Sequence, residues 1–454
     1  MGVPNPLLFG AIADDLTGGV DLAAMLIARG VPTGCTVGLH AAIEPGNIAQ
    51  VICLKTRVIP PQEAVSQVLE AAEKLIEAGA RQIFFKYCAT FDSTPDGNIG
   101  PCTEALFDKL GARATLFVPA LCETGRTVFQ GHMFGGSQLL AESPKRYDPL
   151  TPMTDSNLVR VLQAQSKVKV GFLPHPIVNG GQQAIRDAIE KRIAAGEQFL
   201  IMDTIYEADL AAIASASFDH PLLTGNSAVT AHLPTAWLRS GLIGLDSLVS
   251  SNLAAVDGPA AVLAGSVAGQ TVTQLERFAR DNPLLTIDLM AAFAGEDVVR
   301  LAKEFAQSHL PNRAIAIATT APQHEVEALQ QTYGRATVAD KAESILAEIA
   351  TILVRDFSVR RIIVAGGETS GSVVQALGID RLTMGPYQGL GVCRGVANLP
   401  EPVALMFKSG KQGNPDVFSE VLREMRRPIA NEPPLVDWPP VRRFIQASGD
   451  RTLA

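Results

Sequence analysis

Short apolar runs alternate with helical periodicities from one end of the chain to the other. "LLFGAIA" (7–13) passes through a Gly-containing loop into "VDLAAMLIARG", and "VICLKT" is followed by "EAVSQVLEAAEKLIEAG". In the last of these, Val65, Val68, Leu69, Ala72, Leu75 and Ile76 recur at helical spacing. Pro60 and Pro61 stand at its start and Gly79 just past its end, as start and stop signals should. "QIFFKY", "ATLFVPA", "VKVGFL" and "FLIMD" continue the series. Apolar runs without strict alternation, separated by helices, predict an α/β fold with a largely parallel sheet flanked by helices.

A small-residue stretch ending in Gly-Pro, "LDSLVSSNLAAVDGPA" (245–260), reads as a domain boundary. Beyond it the rhythm restarts with "AAVLAGS", "RAIAIATT", a helix over 340–355, "RRIIVAGGETS" and "PVALMFKSG". The expected organisation is therefore two α/β domains, residues 1–245 and 258–427, each with its own sheet. A Pro-rich tail, 428–454, follows them. A chain of 454 residues is long enough for both cores without disulfide or metal staples.

Composition narrows the function more than the fold. Lys plus Arg number 38 against 46 Asp plus Glu, a net charge of −8 that argues against nucleic acid or an anionic membrane as partner. The six cysteines are scattered with no CxxC pair, and the seven histidines show no metal-ligand spacing, so no protein metal site is predicted. No leader pattern opens the chain and no apolar run approaches about 18 residues. The cytoplasm is the expected location, and a homo-oligomer is allowed.

Candidate chemistry lies in the loops that follow strands. "AIADDLTGGVD" sets Asp14 and Asp15 at the end of the first strand, where parallel sheets gather ligands. Neighbouring carboxylates repel unless a cation shares the space, although one of them could instead cap the next helix. "IFFKYCATFDSTPDGNIGP" (83–101) puts Lys86 inside an apolar strand and then Asp92, Ser93 and Asn98 in a polar loop. Were that strand beside the first, Lys86 would meet the Asp pair. Otherwise it snorkels from an edge and the loop caps itself. In the second half, "LAGSVAGQT", "VAGGETSGS" and "MFKSGKQGNP" are Gly-rich loops after strands, suited to phosphate, with Lys408 and Lys411 able to add charge. None is a Walker A or a GxGxxG motif. From the residues alone, a sugar-acid or polyol site and a phosphate-ligand site follow, and kinase and dehydrogenase both stay open.

The motifs in order resemble those of the four-carbon acid sugar kinase family. "IADDLTGGVD" is similar to its first signature, with Leu16 where an aromatic residue is common. "FKYCATFDSTPDGNIGP" looks like its second signature in the version of members acting on 3-oxo-tetronates. "LTPMTDSNLVRVLQAQ", "AGGETSGSVVQALG" and "FKSGKQGNPDVF" follow in place, and "GPYQGLGVCRG" (385–395) replaces a stretch like "PGVPW". The resemblance implies an ATP- and Mg²⁺-dependent kinase acting on the 4-hydroxyl of a sugar acid, 3-oxo-tetronate first. D-threonate or D-erythronate is the alternative acceptor, and a non-catalytic sensor the alternative role. It implies a substrate domain followed by a nucleotide domain, which must close on each other. The implied acid site is Asp14, Asp15, Lys86, Asp92, Ser93 and Asn98, with Asp15, Asp14 and Lys86 catalytic. The implied ATP site is Ser266, Gly366, Gly367, Glu368, Thr369, Ser370 and Gly410.

Overall fold

A computed structural model describes residues 7–148, 150–319, 323–389 and 392–432. The chain divides into two compact units, one of residues 1–249 with 378–383, the other of residues 250–377 with 384–454. Both are built on mostly parallel sheets covered by helices, as the apolar pattern predicts.

The first unit contains β1 (Phe9–Ala13), β2 (Thr33–Val37), β3 (Ala49–Cys53), β4 (Gln82–Lys86), β5 (Thr115–Val118), β6 (Arg126–Phe129), β7 (His132–Gly135), β8 (Gln138–Leu139), β9 (Val170–Leu173), β10 (Phe199–Met202) and β11 (Leu222–Gly225). Its main sheet runs β2-β3-β1-β4-β11-β5-β10-β9, with every pairing parallel. Burial explains the uninterrupted apolar runs: all five residues of β1, of β3 and of β4 are buried. The helix Pro61–Glu77 turns Val68, Ala72 and Leu75 into the core. Each large side chain so buried contributes about 1.5–3 kcal/mol.

From β1 the chain first builds outward on one side, through β2 and β3, and then crosses to β4 on the other. The carboxyl ends of β1 and β4 thus flank a topological switch point, where open α/β sheets place their ligands.

A separate meander, β6-β7-β8, has no counterpart in the sequence reading. Its tight turn holds Gln130 at φ 51°. The fully buried Asp203 offsets that strain by accepting the N–H groups of Gln130, Gly131 and His175 at 2.8, 2.9 and 3.0 Å.

The second unit contains β12 (Ser251–Leu253), β13 (Ala260–Ala264), β14 (Leu284–Thr286), β15 (Ile315–Ala318), β16 (Arg361–Ala365), the last residue of β17 (Leu382–Met384), β18 (Cys393–Ala397), β19 (Val403–Lys408) and β20 (Ile429–Glu432). Its sheet order, β14-β15-β13-β16-β19-β18-β17, repeats the same device, with a switch point between β13 and β16. Only the β18–β19 side departs from parallel pairing among the registers described. β20 pairs antiparallel with β12, so the segment after Pro428 begins as a strand. The rest of the expected tail, 433–454, lies outside the described residues.

Candidate functional site

Three strand ends meet at the first switch point. Ala13 of β1 pairs with Lys86 of β4, and the N–H of Asp14 donates to the Lys86 carbonyl at 3.0 Å. The Thr56 N–H, beyond β3, donates to the Asp14 carbonyl at 2.9 Å. This register brings the predicted Asp14, Asp15 and Lys86 together: Lys86 Nζ stands 3.4 Å from Asp15 Oδ1. Asp15 also caps the helix Leu16–Ala28, its Oδ1 accepting the Gly18 N–H at 3.0 Å, so capping and charge pairing coexist in one carboxylate. A methyl at Gly18 would fall 1.6 Å from Lys86 Nζ, and only a bare backbone lets the ammonium reach Asp15.

Arg57, absent from the predicted set, completes the cluster. Its Nε and Nη2 clasp Asp14 Oδ2 and Oδ1 at 2.9 and 2.8 Å, and Nη2 also lies 2.7 Å from Asp15 Oδ1. Burial pushes Asp14 up from the ordinary carboxylate value, repulsion from Asp15 adds to this, and Arg57 and Lys86 offset it only partly. For Asp15, burial is outweighed by Arg57 and Lys86 together, and its carboxyl is held low. Adjacent in sequence, the two carboxylates are pushed apart in acidity.

The loop after β4 carries a second cluster. Asp92 follows Phe91, a buried aromatic residue held at φ 50°, in the left-handed region such side chains avoid. Asp92 Oδ1 accepts from Thr90 Oγ1 at 2.5 Å and pairs with Lys145 Nζ at 2.6 Å. Lys145 also meets Asp148 at 2.7 Å, and the carboxylates outweigh burial to raise its pKa. Cys88 feels Asp92, Arg57, Lys145 and Asp14, which locates it between the clusters. Burial first and Asp92 second push its thiol up to about 11, which favours the protonated form near neutral pH.

Two predicted acid-site residues serve the framework in this structure. Asn98 Nδ2 is shared among the carbonyls of Thr56, Arg57 and Ile59 at 2.5, 3.2 and 3.0 Å, which pins the loop that presents Arg57. Its Oδ1 is buried with no hydrogen-bond partner among the described residues, as is Thr17 Oγ1. Ser93 Oγ accepts from Gln165 Nε2 at 2.6 Å.

In the second unit, Ser266, Gly366, Thr369 and Gly410 converge from three loops. A methyl at Gly265 would lie 2.2 Å from Thr369 Oγ1, one at Gly410 2.0 Å from Ser266 Oγ, and one at Gly366 2.9 Å from Thr369 Oγ1. Gly366, at φ 133°, is in a backbone state closed to other residues, and it leads into the helix Gly367–Ala376. Ser370 turns its hydroxyl back to the Gly366 carbonyl at 2.7 Å. Gly367 and Glu368 form the first turn, half-buried. Backbone at a glycine cradle beside a helix N-terminus is the arrangement that receives phosphate.

Comparison with known proteins follows the same division. A family model described as a sugar-binding N-terminal domain matches residues 9–233, and one described as a nucleotide-binding C-terminal domain matches residues 261–418. A 3-oxo-tetronate kinase of Burkholderia multivorans is 43% identical over 424 residues, covering 93% of this chain and 98% of its own. The chain belongs to the 3-oxo-tetronate kinase family. Another 3-oxo-tetronate kinase, of Salmonella typhimurium, is 38% identical and covers 92% of this chain and 100% of its own. Two crystal structures share the fold. One is a Salmonella typhimurium LT2 protein with TM-score 0.80 and 36% identity, covering 92% of this chain and 99% of its own. The other, from Haemophilus influenzae, has TM-score 0.70 and 33% identity, covering 92% and 100%. Among the described residues no helix is long and apolar enough to cross a membrane.

Proposed function

We propose that this chain is an ATP-dependent kinase that phosphorylates the 4-hydroxyl of a four-carbon sugar acid, with 3-oxo-tetronate as the first substrate to test. The observation that carries the reading is the buried Asp14–Asp15–Arg57–Lys86 cluster at the first switch point. Burying charge of this density is costly in desolvation, and such clusters gather at functional sites.

Phosphoryl transfer asks for a proton acceptor beside the attacking hydroxyl and for positive charge near the moving phosphoryl. Asp15 is the proposed acceptor. Its described bonds all fall on Oδ1, so Oδ2 is the oxygen that would take the hydroxyl proton. Asp14 is clasped at both oxygens and positions Arg57. Arg57, Lys86 and Lys145 are the cations for the acid's carboxylate and the transferring group. Asp92 orients Lys145, while Ser93 and Asn98 hold the surrounding loops.

The glycine cradle, which a single methyl group would fill, suits the phosphates of ATP. Glu368 and Thr369 are hard oxygen donors that would hold Mg²⁺ together with those phosphates, where it would supply charge neutralisation.

The test is a steady-state assay of ADP release from Mg-ATP with 3-oxo-tetronate, D-threonate and D-erythronate in parallel. Acid-dependent release fastest with 3-oxo-tetronate supports the reading, and faster release with another acid reassigns the acceptor. Acid binding without ADP release would turn the chain into a sensor.

A further inference from the structure

Lys408 is a buried cation that the mechanism leaves unused. It ends β19 and is completely buried, yet no carboxylate among the described residues pairs with it. Its Nζ donates to the Ser409 carbonyl at 2.7 Å and lies 3.4 Å from the Thr271 hydroxyl of the helix Gly269–Phe278. Charged groups on the elements packed against it are engaged elsewhere. Arg361 of β16 donates to the Gly258 and Leu422 carbonyls, and Arg394 of β18 to those of Glu424 and Arg427. Among the described residues no charged partner contributes to the acidity of Lys408. Burial alone sets its acidity and draws its pKa down to about 8.

Lys408 lies directly under the third glycine loop. Its carbonyl accepts the Gly366 N–H at 2.9 Å, which ties it to the second loop as well. The loop's own carbonyls are held by the helix Gly269–Phe278. Thr271 bonds Gly410 at 2.9 Å, Gln270 bonds Gly413 at 2.6 Å, and Gln274 reaches Gln412, Gly413 and Asn414 at 3.0, 3.1 and 2.9 Å. In a planar trans peptide the N–H points opposite to its carbonyl. The N–H groups of Lys411, Gly413 and Asn414 therefore face away from that helix, as donors that an anion could take. A cation in low dielectric acts on such an anion without touching it.

We propose that Lys408 is a proton-coupled phosphate-binding residue, which takes up a proton when a nucleoside triphosphate seats on the loop 409–413. The proposal rests on the nucleotide reading of the cradle and adds that affinity there falls as pH rises above about 8. With a pKa near 8, about half of the free molecules would carry this proton at pH 8, and a bound polyphosphate would stabilise the charged form. Linkage then gives uptake of about half a proton per nucleotide at pH 8, and affinity falling toward about tenfold per pH unit above it.

The experiment is titration calorimetry of Mg-ATP into the full chain at pH 8 in Tris and in HEPES, whose different ionisation heats report proton uptake, repeated from pH 7 to 9.5. The expected result is uptake near half a proton and weaker binding at high pH. Both should vanish in Lys408→Met, while Lys408→Arg, which keeps the charge but cannot titrate, binds without the pH dependence. Wild-type binding without uptake overturns the proposal even if neither variant folds, and so does equal uptake by Lys408→Met. Absence of Mg-ATP binding by the wild type at every pH is a different failure: it removes the nucleotide site, and the proposal with it.

Discussion

At the scale of single residues, the acid-site cluster makes opposite demands on its members. Asn caps a helix about as well as Asp, so Asp15→Asn keeps the start of the helix Leu16–Ala28. The variant should bind Mg-ATP normally and lose at least about tenfold in turnover, measured by ADP release. Near-normal turnover would take the acceptor role from Asp15. Arg57→Met leaves two buried carboxylates facing each other, and a loss of about 3–5 kcal/mol of stability in urea unfolding is expected. Lys408 gives a pH test of stability. Its folded pKa of about 8 lies below the ordinary lysine value of 10.5, so between these values the unfolded chain holds more protons. Its burial penalty is thus fully present below pH 8 and fades as pH rises toward 10.5. Any stability that Lys408→Met gains over wild type at pH 7 should shrink by pH 9.5. An unchanged difference would mean that Lys408 titrates normally. Lys86 was legible in the sequence because a lysine inside an apolar strand demands a partner and the strand ends supply one. Arg57 and Lys145 were not, because each lies in a loop where nothing periodic fixes which way a side chain points.

At the scale of elements, the helix Pro61–Glu77 and the strand ends were readable because a repeating apolar face and a proline start encode them locally. The meander β6-β7-β8 was hidden. Its turn depends on Asp203, more than 70 residues away in sequence, to satisfy a backbone that Gln130 does not favour. Asn98 shows the same limit, since its place in a polar loop gave no sign that its amide straps the loop of Thr56, Arg57 and Ile59. Asn98→Ala leaves those carbonyls without that donor, at a cost of about 1–3 kcal/mol. It should also raise KM for the acid by loosening Arg57 while leaving Mg-ATP affinity alone, which a pair of KM measurements resolves. Gly366→Ala should act in reverse. The new side chain would be forced into a backbone state it resists and toward Thr369, so Mg-ATP affinity falls while acid binding is kept.

At the scale of the whole molecule, each unit has its own sheet and switch point, and most of each is matched by its own family model. The doubled architecture follows from the apolar rhythm, which restarts in the second half, whereas the pairing of β12 with β20 joins segments that no local pattern connects. The central claim is a division of labour: acid on the aspartate cluster of one unit, nucleotide on the glycine loops of the other. Hydrogen exchange followed by mass spectrometry, with each ligand added alone, tests it most directly. Mg-ATP is predicted to slow exchange in residues 265–270, 366–370 and 409–413, and 3-oxo-tetronate to slow it in 14–18, 56–59 and 86–98. Protection of the glycine loops by the acid, or an aspartate cluster unmoved by it, would contradict the account.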